Sequence, residues 1–175
     1  RCQDQSAVST AMRTARQMID RTLHRLQAVN VPEDPRIGIY SLRQALTAVF
    51  KVQPGNASMG QLFEIKQNFQ LLAEAAANAR SACVSAQHPM CGGAGELGHS
   101  AFAEVGTDRT PTLYVCPSFF HETARDQART IVHELAHARL AIAHRGGEIV
   151  AFGSCPDLPL RSFSDAIANA YAYDA

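Results

Sequence analysis

The chain has 175 residues, 46% hydrophobic and 18% charged, with sixteen basic and sixteen acidic side chains and no tryptophan. That length fits one compact domain. A net charge of zero gives no support for nucleic acid or an anionic membrane as a partner, and no apolar run approaches the ~20 residues of a membrane span.

The chain opens Arg1-Cys2 without an apolar signal core, so it reads as a mature or excised piece of a larger polypeptide. Residues 5–29 form the first predicted helix, because Val8, Met12, Ala15, Ile19, Leu23 and Leu26 recur at spacings of three and four. Arg13, Arg16, Arg21 and Arg25 are separated by acidic and polar residues, which marks a solvated helix face. Pro32 and Pro35 break the pattern, since each pushes its preceding residue out of helical geometry. A second helix is expected over 41–51, capped by Ser41, with Leu46, Val49 and Phe50 facing inward. After the turn at Pro54-Gly55-Asn56 a third helix is expected over 58–83, carrying Leu62, Ile65, Phe69, Leu72 and Ala76.

From 84 to 120 Gly and Pro accumulate and the long periodicity ends. Two short strands are predicted at 101–105 and 112–116, flanking the turn Gly106-Thr107-Asp108-Arg109. A helix follows over 122–145, with Gly146-Gly147 as its stop, and a last short one over 162–173. The expected fold class is mainly helical α+β with a small antiparallel sheet. We read 1–175 as a single domain, helical over 1–83, with the sheet and the candidate metal site over 84–175.

The cysteines lie at 2, 83, 91, 116 and 155, and none forms a CxxC pair, which argues against a structural zinc knuckle. Cys83 and Cys91 are near enough to close a small loop. Cys116 and Cys155 have Cys2 or each other as partners, and buried free thiols are the plainer alternative. If disulfides form, the protein works in an oxidising compartment.

His133-Glu134-Leu135-Ala136-His137 is an HExxH sequence inside the predicted helix. Residues i and i+4 share one helix face, so both imidazoles reach a single Zn²⁺. Glu134 then lies close enough to accept a proton from a metal-activated water and pass it to a leaving amine. The motif arises by chance in roughly 1% of chains of this composition. The plainer reading, two solvated histidines on an exposed helix, is disfavoured by apolar Ile131, Val132, Leu135, Ala136 and Leu140 around them. A catalytic zinc needs a third protein ligand. His144 lies two turns further along and is too distant, whereas Glu148, Asp157 and Asp165 remain as candidates. Gly92-Gly93-Ala94-Gly95 lacks the Lys-Ser/Thr of a phosphate loop, Ser154 has no nucleophile-elbow context, and His88 and His99 read as ordinary loop histidines.

The run Thr112 to Phe120, a short gap, and then Thr130 to His137 resembles the aspzincin metallopeptidases, the deuterolysin and lysine-specific metalloendopeptidase group. In that group the third zinc ligand is the Asp of a Gly-Thr-x-x-Asp-x-x-Tyr-Gly motif. Gly153-Ser154-Cys155-Pro156-Asp157 matches its first half, so the resemblance implies Asp157 as the third ligand beside His133 and His137. Ile167 to Tyr173 echoes a later family segment. Leu160 and Arg161 replace the family's Tyr and Gly, which leaves the oxyanion partner open among Tyr171, Tyr173, Arg139 and His121. Asn169 stands where lysine-specific members carry an Asp, which argues against strict Lys specificity.

The resemblance implies a zinc endopeptidase that binds a protein or peptide substrate along an edge strand. It also implies a protein secreted or delivered outside the producing cell, either as a free protease or as an effector acting on cell-wall peptide. The contrasting expectations are a non-catalytic zinc-stabilised interaction domain, which the loss of the Tyr at Leu160 favours and the presence of Glu134 disfavours, and a metal-free helical binding module.

Overall fold

A computed structural model describes residues 4–28, 46–47, 49–52, 57–91, 99–142, 162–167 and 170–174. Helix α1 spans Gln5–Ala28. The Asp4 carboxylate starts it, accepting from the backbone N–H groups of Ser6 at 2.9 Å and Ala7 at 3.0 Å, and so satisfies donors that have no partner within the helix. Val8, Ala11, Ala15, Ile19 and Leu26 are buried along one face, and Met12 and Leu23 flank them. Residues 46, 47, 49 and 50 are helical, with Leu46, Val49 and Phe50 buried as the periodicity requires. Ser41 and the start of that predicted helix lie outside the described residues.

Helix α2 spans Ala57–Asn78 and buries Leu62, Ile65, Phe69, Leu72 and Ala75. Its end departs from the sequence expectation. The helix stops at Asn78, whose side-chain amide donates to the Glu74 carbonyl at 2.9 Å, and Arg80–Cys83 becomes strand β1. No helix breaker forces this change. The residues Ala79 to Cys83 are compatible with a helix, and backbone pairing with a neighbouring strand outweighs that weak local preference.

Strands β2 (Ala101–Val105) and β3 (Pro111–Val115) form the predicted hairpin, aligned Ala101 to Val115 and Val105 to Pro111. Its turn is closed by Gly106 N–H to the Thr110 carbonyl at 3.2 Å and Arg109 N–H to the Gly106 carbonyl at 2.9 Å. Arg109 takes a left-handed conformation, φ 61°. The sheet order is β1-β3-β2, with β1 parallel to β3 and β2 antiparallel. The sheet is therefore mixed rather than antiparallel, and it reaches back to residue 80, inside the segment read as helical.

Cys116 follows β3 and leads into a 3₁₀ turn, Pro117–His121. Helix α3 spans Ala124–Leu140, capped by Thr123, whose hydroxyl accepts from Asp126 N–H at 3.2 Å. Short helices α4 (Phe163–Ile167) and α5 (Tyr171–Asp174) close the described chain. Helix α3 packs against α1, α2 and α5 and also against β2 and β3. Residues 127, 128 and 130–136 are accordingly all buried, as expected of a central helix. Its far end also differs from expectation. The helix stops at Ala141, φ 51°, five residues short of the glycine pair.

Candidate metal centre

On α3, His133 and Glu134 are buried, and His137 follows one turn later. The two imidazole Nε2 atoms lie 3.1 Å apart with their rings at 81°. Two nitrogens on a tetrahedral Zn²⁺ with bonds of ~2.0–2.1 Å would stand roughly 3.3 Å apart, so the pair fits one shared ion. The αL conformation at Ala141 turns the chain back, so that the Ile142 carbonyl sits 2.7 Å from His137 Nδ1. A carbonyl only accepts, so Nδ1 carries the proton and Nε2 presents its lone pair. That is the tautomer a metal-ligating histidine needs, fixed by the hydrogen bond on its other nitrogen.

Glu134 points to the sheet. Burial raises its carboxyl to about 7, opposed by the charge of His133 and by a hydrogen bond from the backbone N–H of Ala103. The position of Ala103 explains why that N–H is available. Cys116 N–H bonds the Ser100 carbonyl at 2.9 Å and Gly106 N–H bonds the Thr110 carbonyl, so the even-numbered residues of β2 face β3. The backbone groups of Ala101, Ala103 and Val105 therefore face away from it. β2 is an edge strand of the described sheet, and Glu134 docks on that edge.

Gln127, Thr130 and Glu134 continue a buried polar line along α3 at spacings of three and four. Gln127 Nε2 donates to the Phe119 carbonyl at 3.0 Å, and Thr130 Oγ1 donates to Glu122 Oε2 at 3.0 Å. Ala103, Glu122 and Ile142 contribute to the site but escaped the sequence reading. For Thr130 a signal existed, a hydroxyl one turn before the motif, whereas a backbone N–H or carbonyl leaves none.

Asp157, Glu148, His144, Leu160 and Asn169 lie outside the described residues, as do the side chains of Asp165 and Tyr171. Among the described residues no cluster of three His, Cys, Asp or Glu side chains forms a metal site. Three candidates for the oxyanion partner are placed. Tyr173 is a core residue, packed against Phe50 and Phe69 with ring centroids 5.3 and 5.5 Å away. Its hydroxyl accepts from Asn68 at 2.7 Å and donates to the Ile167 carbonyl at 3.0 Å, and burial pushes it above the usual phenol range. Arg139 approaches Glu74 of α2 at 3.4 Å, and His121 is exposed at the end of the 3₁₀ turn. His88, read as a plain loop histidine, stacks on Phe102 at 4.8 Å.

Cys91 is bonded to Cys116, which excludes the small Cys83–Cys91 loop. Cys83 is itself disulfide-bonded. Cys91 closes a turn, its N–H bonding the His88 carbonyl at 2.9 Å, and that turn brings its sulfur to the end of β3.

No family model and no curated protein matches the chain. Among solved structures it is similar to a zinc peptidase from Grifola frondosa, with a TM-score of 0.66 and 20% identity over 97% of this chain and 91% of that one. The fold is thus that of a zinc peptidase, mainly helical α+β as the sequence implies.

Proposed function

We propose that the chain is a zinc-dependent endopeptidase in which His133, His137 and Asp157 hold the metal and Glu134 is the general base. The observation that carries this reading is the pair of Nε2 atoms 3.1 Å apart with the buried Glu134 beside them on the same helix. Zinc held by these residues would supply Lewis-acid polarisation of the scissile carbonyl and a more acidic water.

The protein's own groups do the rest. Glu134, oriented by the Ala103 N–H, takes a proton from the attacking water and returns it to the leaving nitrogen. Burial of this carboxyl keeps it out of bulk water and so strengthens it as the acceptor in that transfer. The Ile142 carbonyl keeps the proton of His137 on Nδ1 throughout. The outward backbone groups of Ala101 and Val105 and the Ala103 carbonyl align an extended substrate segment beside Glu134, giving binding that tolerates many sequences. The Cys91–Cys116 bridge supports work in an oxidising setting, outside the producing cell. Attack on protein or on cell-wall peptide both suit such a setting.

The decisive experiment measures zinc content and cleavage of casein and a peptide library by the wild type and by Glu134→Ala. One zinc in each, with cleavage lost only in the variant, is the expected result. A general base contributes about 10²–10⁴-fold, so the loss should be at least that large. Zinc in both without cleavage by either would favour a structural metal, and no zinc in either would end the proposal.

A further inference from the structure

Helices α1, α2 and α5, with the helical residues 46, 49 and 50, line a cavity of about 210 Å³. Its walls are apolar: Leu26 from α1, Leu46 and Phe50, Ile65 and Phe69 from α2, and Tyr173 from α5. Three of these are aromatic rings in mutual edge contact, Phe50 to Tyr173 at 5.3 Å and 73° and Phe50 to Phe69 at 6.3 Å and 74°. The Tyr173 hydroxyl is already engaged by Asn68 and the Ile167 carbonyl. The lining changes character at one place. Thr22 is half-buried and Arg25 exposed, whereas every other lining residue is buried, so these two mark the mouth. They are three residues apart and share one face of α1. Among the described residues neither has a hydrogen-bond or ion-pair partner.

We infer that this cavity binds a small aromatic carboxylate, with its ring among Phe50, Phe69 and Tyr173 and its acid group on Arg25 at the mouth. Small-molecule sites combine mostly apolar walls with a few convergent polar groups, and that is the division seen here. The volume suits a single substituted ring, since a dry cavity of about 150 Å³ takes benzene. An aromatic body extends the edge-to-face cluster of the wall, a gain that a saturated chain lacks. The guanidinium fork matches a carboxylate with two parallel hydrogen bonds, and the Thr22 hydroxyl supplies a further donor to the same group. None of the lining residues belongs to the HExxH sequence, so the inference stands apart from the peptidase reading.

The test titrates the full chain with cinnamate, cinnamyl alcohol and octanoate, following the methyl NMR signals of Leu26, Leu46 and Ile65. Cinnamyl alcohol keeps the ring and removes the charge, and octanoate keeps the charge and removes the ring. Cinnamate should shift these signals saturably and bind at least about threefold tighter than either of the others. Arg25→Gln changes an exposed side chain and leaves the walls intact. It should weaken cinnamate by about threefold to tenfold and bring it level with the alcohol, as loss of a partly exposed carboxylate pair requires. Thr22→Leu narrows the mouth and should weaken all three ligands.

No saturable shift up to about 5 mM, the weak end of small-ligand affinity, would overturn the site. Cinnamate bound no better than its alcohol, or equally well by Arg25→Gln, would overturn the role of the acid group. Octanoate as the tightest ligand would overturn the aromatic assignment, and unchanged affinities in Thr22→Leu would overturn the placement of the mouth. Each titration is repeated after chelation, because a carboxylate also binds zinc. Binding that survives chelator is expected, whereas binding lost with the metal would place the acid at the motif and end the inference.

Discussion

At the scale of single residues the site depends on how burial treats carboxylates. Glu122 and Glu134 both face removal of water, opposed at Glu122 by hydroxyl donors and at Glu134 first by the charge of His133. Glu122 is held above the usual carboxyl range chiefly by burial, opposed by its bonds to Ser100 and Thr130 and reinforced by the charge of Asp126. The folded chain thus holds that proton more tightly than the unfolded chain does. Stability is then greatest below about 4.5, the ordinary value, and falls as pH rises through the higher folded one. Glu134 adds a slope of the same sign in metal-free protein. Urea unfolding of the chelator-treated, disulfide-intact protein should show unfolding free energy decreasing from pH 4.5 to 7.5. Glu122→Gln should give a shallower decrease, and a wild-type stability that rises over this interval would contradict the assignment.

This is also the scale at which the sequence was most legible. His133, Glu134 and His137 were identified correctly as neighbours because a helix fixes which residues share a face, and no distant contact is needed to know it. The partners that orient them were not legible. Ala103 and Ile142 act through backbone atoms that every residue type possesses. Glu122, which accepts from Thr130 at 3.0 Å, lies eight residues before it in a separate element, so the pairing has no local signature.

At the scale of elements the instructive departures are two helix ends. Helix α2 yields to β1 because the exposed edge of β3 offers Arg80–Cys83 a full set of backbone partners. Helix α3 stops at Ala141 although glycines lie a few residues on. A single residue at φ 51° lets the Ile142 carbonyl reach His137 Nδ1. A β-branched residue tolerates that conformation poorly and glycine adopts it freely. Ala141→Val should therefore weaken zinc binding by about 10–100-fold, the usual effect of losing a group that orients a ligand histidine, whereas Ala141→Gly should retain it. Titration against a chelating dye measures both. Equal affinities in the two variants would mean that the turn does not serve the ligand.

At the scale of the whole molecule helix α3 is the element shared by two layers, helices on one side and a three-stranded sheet on the other. The Cys91–Cys116 bridge fastens the loop after β1 to the end of β3 across a separation of 25 residues. Closing a loop of that size restricts the unfolded chain and contributes about 3 kcal/mol. The double variant Cys91→Ala, Cys116→Ala should lose stability of that order in urea. A loss below ~1 kcal/mol would show that the surrounding contacts hold the hairpin without the bridge.

Across these scales, the sequence by itself determined what is local. It specified the buried faces of α1 and α2, the β2–β3 hairpin and the class of fold, since each follows from a repeat of two or 3.6 residues along the chain. Only the tertiary structure decided the parallel pairing of β1, the choice of Cys116 for Cys91, the end of α3 and the docking of Glu134 on the edge strand. Those features depend on contacts between segments far apart in sequence, where weak local preferences give way to backbone pairing and to the burial of polar groups with their partners.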